Sequence, residues 1–221
     1  MSARATTVLV ISRQLGSGGV FVGRAVAGRC GMAFVDREIL QSAARTLDLA
    51  EGEVELREER AASVWDRVLG AFALSAPEGT YVPLGAPPLY EEELFRVESR
   101  IIRETAARTD AVIVGRGGFH VLAGHPGLVS VALRADRDWR IRRVMELSGL
   151  DLATAAARVD SSDNDRARFI RTFTGHDWND LSCYDLCLDT SKVGLDLAAR
   201  LVTEVVAARQ RRVRNGGTTT T

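Results

Sequence analysis

An α/β fold with a five-stranded parallel sheet, covered by helices on both faces, is predicted by three observations. Five short apolar runs rich in Val and Ile recur along the 221 residues. Stretches with helical spacing of apolar residues lie between them, so strand and helix alternate, as a parallel sheet with crossover helices requires. The first run also passes directly into a turn with four glycines in eight residues, Gly16 to Gly23, and then into a helix.

The strands are expected at Val8–Ser12, Met32–Val35, Ala111–Gly115, Val129–Leu133 and Tyr184–Leu188. The helices are expected at Gly19–Arg29, Arg37–Leu47, Glu91–Arg108, Asp136–Leu147, Asp151–Arg171 and Leu195–Arg211. Residues 75–90 hold four of the five prolines and read as a loop between helical arms. The first 212 residues are read as a single domain, and residues 213–221, which end in "NGGTTTT", as a disordered tail.

Composition narrows the classes of function. With 46% hydrophobic residues the chain can bury a substantial core. Its net charge is zero, which gives no electrostatic footprint for nucleic acid or a membrane surface. Lys192 is the single lysine among 29 basic residues, so a phosphate contact from a basic side chain falls to arginine, a planar fork rather than a point charge. Cys30, Cys183 and Cys187 read as structural thiols, because no second pair or histidine stands at metal-ligand spacing. The N-terminus lacks the apolar core of a signal peptide and no run approaches a membrane span, so a cytoplasmic location is expected.

The glycine turn carries the chemistry. Backbone N–H groups converging at a helix N-terminus form an anion site, and glycine lets the backbone approach the phosphate. The usual signature is G-x-x-x-x-G-K-[ST]. One register, Gly18 to Gly23 followed by Arg24, keeps the spacing but starts the helix late. The register from Arg13 to Val20 fits the strand-to-helix distance better. Arg13 then stands for the first glycine, Gly19 for the lysine and Val20 for the metal-binding hydroxyl. Gly16, Ser17, Gly18 and Gly19 are the nucleotide-binding residues of that register, and Arg13 is the leading replacement for the lysine. A bulky residue at Gly18 is expected to clash with the ligand and spare the fold. A dinucleotide fingerprint with Asp36 as the acidic residue is disfavoured by Phe21, where a small residue should pack. A nucleophile elbow at Ser17 fails, since Leu15 precedes it.

The stretches "ISRQLGSGG", "VDREIL", "VIVGRGG", "DRARFIRTFTGHDW" and "YDLCLDTSKVG" occur in this order, and together they resemble the cytidylate kinase-like family over roughly residues 7 to 205. The resemblance implies a three-layer P-loop kinase-like fold, a helical monophosphate-binding insert near 48–108 and a lid near 158–178. It implies ATP and Mg²⁺ as cofactors, and transfer of the γ-phosphoryl to CMP, dCMP or a related small acceptor. The family's loop tends to run G-S-G-G-R-E, whereas Val20 and Phe21 stand here in place of its arginine and glutamate. That loss of charge leaves open a nucleotide-binding regulatory protein without turnover, and an NAD(P)-dependent enzyme is a further alternative.

The remaining site residues follow from these stretches. Asp36, at a strand end, is expected as a ligand of Mg²⁺ or its water, or as an acceptor-orienting group, with a helix N-cap as the plain alternative. Arg37 is expected to reach either the acceptor phosphate or solvent. Arg116, between two glycines, is expected to clamp phosphate. Arg168 and Arg171, spaced i, i+3, are expected on one lid face to stabilise transition-state charge, with Arg166 pointing elsewhere but retained for the substrate. Asp189, Thr190 and Ser191 are expected near the adenine.

Overall fold

The computed structural model describes residues 5–36, 40 and 88–216. Arg37, the expected helix over Arg37–Leu47 apart from Leu40, insert residues 48–87 and tail residues 217–221 lie outside the described residues. Five parallel strands form one sheet: β1 (Val8–Arg13), β2 (Ala33–Val35), β3 (Ala111–Val114), β4 (Leu128–Arg134) and β5 (Leu186–Asp189), in the order β2-β3-β1-β4-β5. Seven helices are described: α1 (Gly19–Cys30), α2 (Pro88–Arg108), α3 (Gly118–Val121), α4 (Arg137–Ser148), α5 (Leu152–Thr174), α6 (Thr190–Val193) and α7 (Leu195–Arg214).

Val8, Leu9, Val10 and Ile11 are all buried rather than alternately so, the pattern of a strand covered on both faces. Glycines identify what covers each face. A Cβ on Gly23 of α1 would stand 2.9 Å from Phe34 and 3.2 Å from Val114, so α1 lies close on that side. A Cβ on Gly118 of α3 would stand 3.1 Å from Val10, on the opposite side. Phe21, expected at the helix–strand contact, is 40% exposed instead, and Gly23 two residues later makes the close approach. The argument from Phe21 against a dinucleotide fold therefore fails. Strand order replaces it, because β1 lies between β3 and β4 here and between β2 and β4 in the dinucleotide fold.

Boundaries differ from expectation for local reasons. Helix α2 starts at Pro88, inside the expected loop, with proline at the first helical position where its missing N–H costs nothing. The last strand starts at Leu186 rather than Tyr184. The Asp180 carboxylate accepts from Ser182 N at 2.9 Å and winds Leu181–Cys183 into a 3₁₀ turn. Helix α7 runs on to Arg214, past the expected end of the domain. Asp136 and Asp151 cap α4 and α5 by accepting backbone N–H bonds, and Gly149 and Gly175 end them in left-handed conformation.

Among the described residues, two smaller apolar clusters stand beside the main core. Leu15 of the glycine turn is plugged between α4 and α5 with Ile141, Val144, Ala155 and Val159. Phe169, Ile170 and Trp178 pack with Phe95 and Phe173 at the far end of α5. The turn is thus anchored to the base of the segment expected as the lid.

Candidate active site

The site lies at the C-terminal edge of the sheet, where open α/β sheets bind ligands. Helix α1 begins at Gly19, with Gly18 as N-cap at φ 82° and no side-chain cap. This start supports the Arg13–Val20 register; Gly23 and Arg24 fall in the second turn of the helix. Arg24 lies 5.4 Å from the Phe34 ring, on an exposed face. Gly16 has φ 80°, and a Cβ there would stand 2.8 Å from Arg140 O. A Cβ on Gly18 would stand 2.2 Å from Leu195 Cδ2. A bulky residue at Gly18 therefore disturbs the fold as well as any ligand, contrary to the expectation.

The side chains of Ser17 and Thr190 brace the turn. Ser17 Oγ is buried 2.8 Å from Gln14 O and 3.1 Å from Leu133 O, so its single proton serves two carbonyls. Thr190 Oγ1, also buried, lies 2.9 Å from Ser17 O and 3.1 Å from Arg134 O. Asp189 caps α6 through Ser191 N at 3.1 Å, and Ser191 Oγ accepts from Asp136 N at 3.1 Å. Hydrogen bonds from Ser191 hold the Asp189 carboxyl below the usual carboxylate range. Ser17, Asp189, Thr190 and Ser191 thus spend these side chains on the protein, and the Ser17 backbone N–H donates to Gln14 O at 3.2 Å.

Arg140 joins the turn to α5. Its buried guanidinium donates to Ala135 O at 3.1 Å and to Asp163 at 3.2 and 2.9 Å, with Leu15 O at 3.4 Å. Asp163 belongs to α5, so that helix and the glycine turn share one cation. Sequence reading missed it, although the phase of α4 places Arg140 with buried Val144 at i+4.

A cleft of about 630 Å³, its open mouth included, lies between the β1 and β3 ends and α5. Arg13, Arg116, Asp165, Arg166 and Trp178 line it. Helix phase reverses the expected facing of the α5 arginines. Ser162, Asp165, Arg166, Phe169 and Ile170 form one stripe towards the cleft. Arg171 lies roughly half a turn away and Arg168 roughly a third of a turn. Both are exposed, and Arg168 pairs with Asp165 at 2.5 Å. Their i, i+3 spacing does place them near one another, but on the face opposite buried Phe169 and Ile170.

Arg116 also departs from expectation. Its Nε donates to Glu98 at 2.6 Å, Nη2 contacts the same carboxylate oxygen, and its Cζ lies 4.3 Å from the Phe169 ring centroid. Glu98 is fully buried, so the Arg116 charge is balanced within the protein, and the structure displays an ion pair where a phosphate clamp was expected. Arg116 has φ 54°, the one non-glycine left-handed residue among the described residues, an arrangement costing about 1–2 kcal/mol. A signal for Glu98 existed: it shares a helix face with Ile101, Ile102 and Thr105, and a charge on an apolar stripe requires a partner.

Asp36 follows β2 and is 6% exposed; its carbonyl accepts from Leu40 N at 3.0 Å. The pairing of Val35 with Ile113 and of Val114 with Ile11 sets Asp36 level with Ile11, one strand removed from β1. Trp178 Nε1 donates to Ser12 Oγ at 2.9 Å, closing the cleft floor. Beside it, His120 and His176 stack with centroids 4.4 Å apart. Burial, then the neighbouring His176, lowers the His120 pKa to about 4. Among the described residues there is no cluster of three metal-ligating side chains, and no helix long and apolar enough to cross a membrane.

Strand order, glycine turn and overlying helical arm define a P-loop kinase-like fold. The chain belongs to the cytidylate kinase-like family, whose model matches residues 8–192. It is 33% identical over 98 residues to a cytidylate kinase of Methanopyrus kandleri, covering 41% of this chain and 51% of that protein. It is 26% identical over 111 residues to a cytidylate kinase of Halobacterium salinarum, covering 50% of this chain and 58% of the other. The chain thus spans about half the length of these curated relatives. An uncharacterized protein from Eubacterium ventriosum has the same fold, with TM-score 0.68 and 21% identity over 92% of this chain and 99% of that one. A gluconokinase from Sinorhizobium meliloti matches at TM-score 0.50 and 16% identity over 96% of each chain. At these identities the likeness is one of fold.

Proposed function

We propose that the protein is an ATP-dependent phosphotransferase acting on a nucleoside monophosphate of the CMP or dCMP type, or on a related small acceptor. The observation that carries this reading is the meeting of the uncapped α1 N-terminus, its glycine turn and the arginines of β1 and α5 at one sheet edge. Backbone amides of Gly16, Gly18 and Gly19 hold the donor phosphates, the Ser17 N–H being donated to Gln14 O at 3.2 Å, and the α1 dipole favours their charge. Arg166 meets the charge that spreads over the transferred group, and α5 excludes water. Val20 offers no hydroxyl and that of Ser17 is engaged, so Asp36 would be the protein carboxylate for a Mg²⁺ brought in on the nucleotide phosphates, a sparse donor set that would suit this ion. Bound there, Mg²⁺ neutralises phosphate charge.

The same sparse donor set favours a second reading, a regulatory protein that binds nucleotide without turnover. A coupled ADP-release assay with ATP, Mg²⁺ and CMP, dCMP, UMP, AMP or shikimate separates the two. Turnover with a pyrimidine monophosphate is expected. Nucleotide binding without turnover on any acceptor supports the regulatory reading, and absence of binding rejects both.

A further inference from the structure

Arg13 leaves β1 with its side chain laid across two glycines. A Cβ on Gly19 would stand 2.6 Å from Arg13 Cγ and 2.8 Å from Arg13 Cβ. A Cβ on Gly115 would stand 1.9 Å from Arg13 Nη1 and 2.7 Å from its Cζ. The stem therefore crosses the first residue of α1, and the guanidinium rests against the end of β3, on the cleft wall. Gly115 has φ 88°, so its backbone already favours glycine. Gly19 is different. It is helical, with no left-handed φ, and alanine would be the better residue there on backbone grounds. What glycine provides at 19 is room for Arg13.

Position 19 is where a loop of this type ordinarily carries its lysine. Resting on the triphosphate reading above, we infer that the two positions have exchanged roles. The cation is sent from the strand by Arg13, through a slot kept open by Gly19 and Gly115, to the terminal phosphates of the donor. A guanidinium arriving at the β3 end can fork onto two oxygens.

The test is calorimetric titration of ATP and ADP, with and without Mg²⁺, on the wild type and three variants, with thermal melts as a check on folding. Arg13→Ala is expected to weaken ATP binding about 10- to 100-fold and ADP binding less, the loss of one charge-assisted fork. Gly19→Ala keeps Arg13 but pushes it aside, so ATP binding weakens and the melting temperature falls instead of rising. This variant reads the slot even if Arg13→Ala is unstable. The exchange Arg13→Gly/Gly19→Lys supplies the cation from the helix and is expected to bind ATP more tightly than Arg13→Ala, within about tenfold of wild type. Wild-type affinity in Arg13→Ala, or an exchange variant no tighter than Arg13→Ala, overturns the inference and leaves the glycine-turn reading standing. A wild type that binds no triphosphate overturns both.

Discussion

Replacing Asp163 with asparagine keeps the size of the side chain and removes the charge that receives Arg140. The two guanidinium nitrogens lie 3.2 and 2.9 Å from the two carboxylate oxygens. Removing one partner of a fully buried pair costs about 3–5 kcal/mol. Here the Arg140 side chain is 5% exposed but that of Asp163 is 24% exposed, and Arg140 keeps the Ala135 carbonyl, so the expected loss is about 2 kcal/mol. For a chain of 221 residues that corresponds to a fall in Tm of about 4–8 °C. Urea denaturation of Asp163→Asn, Arg140→Met and the double variant completes a cycle, with an expected coupling of about 1–2 kcal/mol. Because Arg140 O abuts Gly16 and Nη1 faces Leu15 O, Asp163→Asn should also weaken ATP binding severalfold by loosening the turn. Additive single effects, with coupling under about 0.5 kcal/mol, would refute the claim that this pair ties α5 to the loop.

Two further predictions concern the cleft. Arg166→Ala should lower kcat about 10²- to 10³-fold, the loss of one transition-state donor, while Arg168→Ala and Arg171→Ala should leave it within about twofold. Equal losses in all three would mean that α5 turns on closure and that the observed phase is not the catalytic one. His120 is neutral in the folded protein down to about pH 4, against an ordinary value of 6.5. The unfolded chain takes up its proton first, so this contribution is complete above pH 6.5, is lost as pH falls towards 4, and then levels off. With the ring only partly buried it amounts to at most about 2 kcal/mol. Urea midpoints between pH 4 and 7 should slope upward in the wild type and less in His120→Phe; His125, lowered chiefly by burial, and carboxylates such as Asp189, lowered by hydrogen bonds, contribute to the remaining slope. An identical slope in both proteins would count against the assignment.

The strands, most helices and the register of the glycine turn were legible in the residues themselves, because each depends on local spacing. An apolar run covered on both faces, such as Val8–Ile11, carries its own signal, as does a turn of glycines before Gly19. Strand order and side-chain direction depend on partners far along the chain, and local spacing does not carry them. Arg116 meets Glu98 from another element; Ser17 meets Leu133 of β4 and Thr190 of α6. Phe21 and Gly23 both lie on α1, yet only packing on Phe34 and Val114 decided which faces the sheet. The lid arginines show the boundary most clearly. Their spacing fixed their mutual positions, and the side on which Phe169 and Ile170 found their core decided which arginine faces the cleft, since a helix is oriented by what it buries.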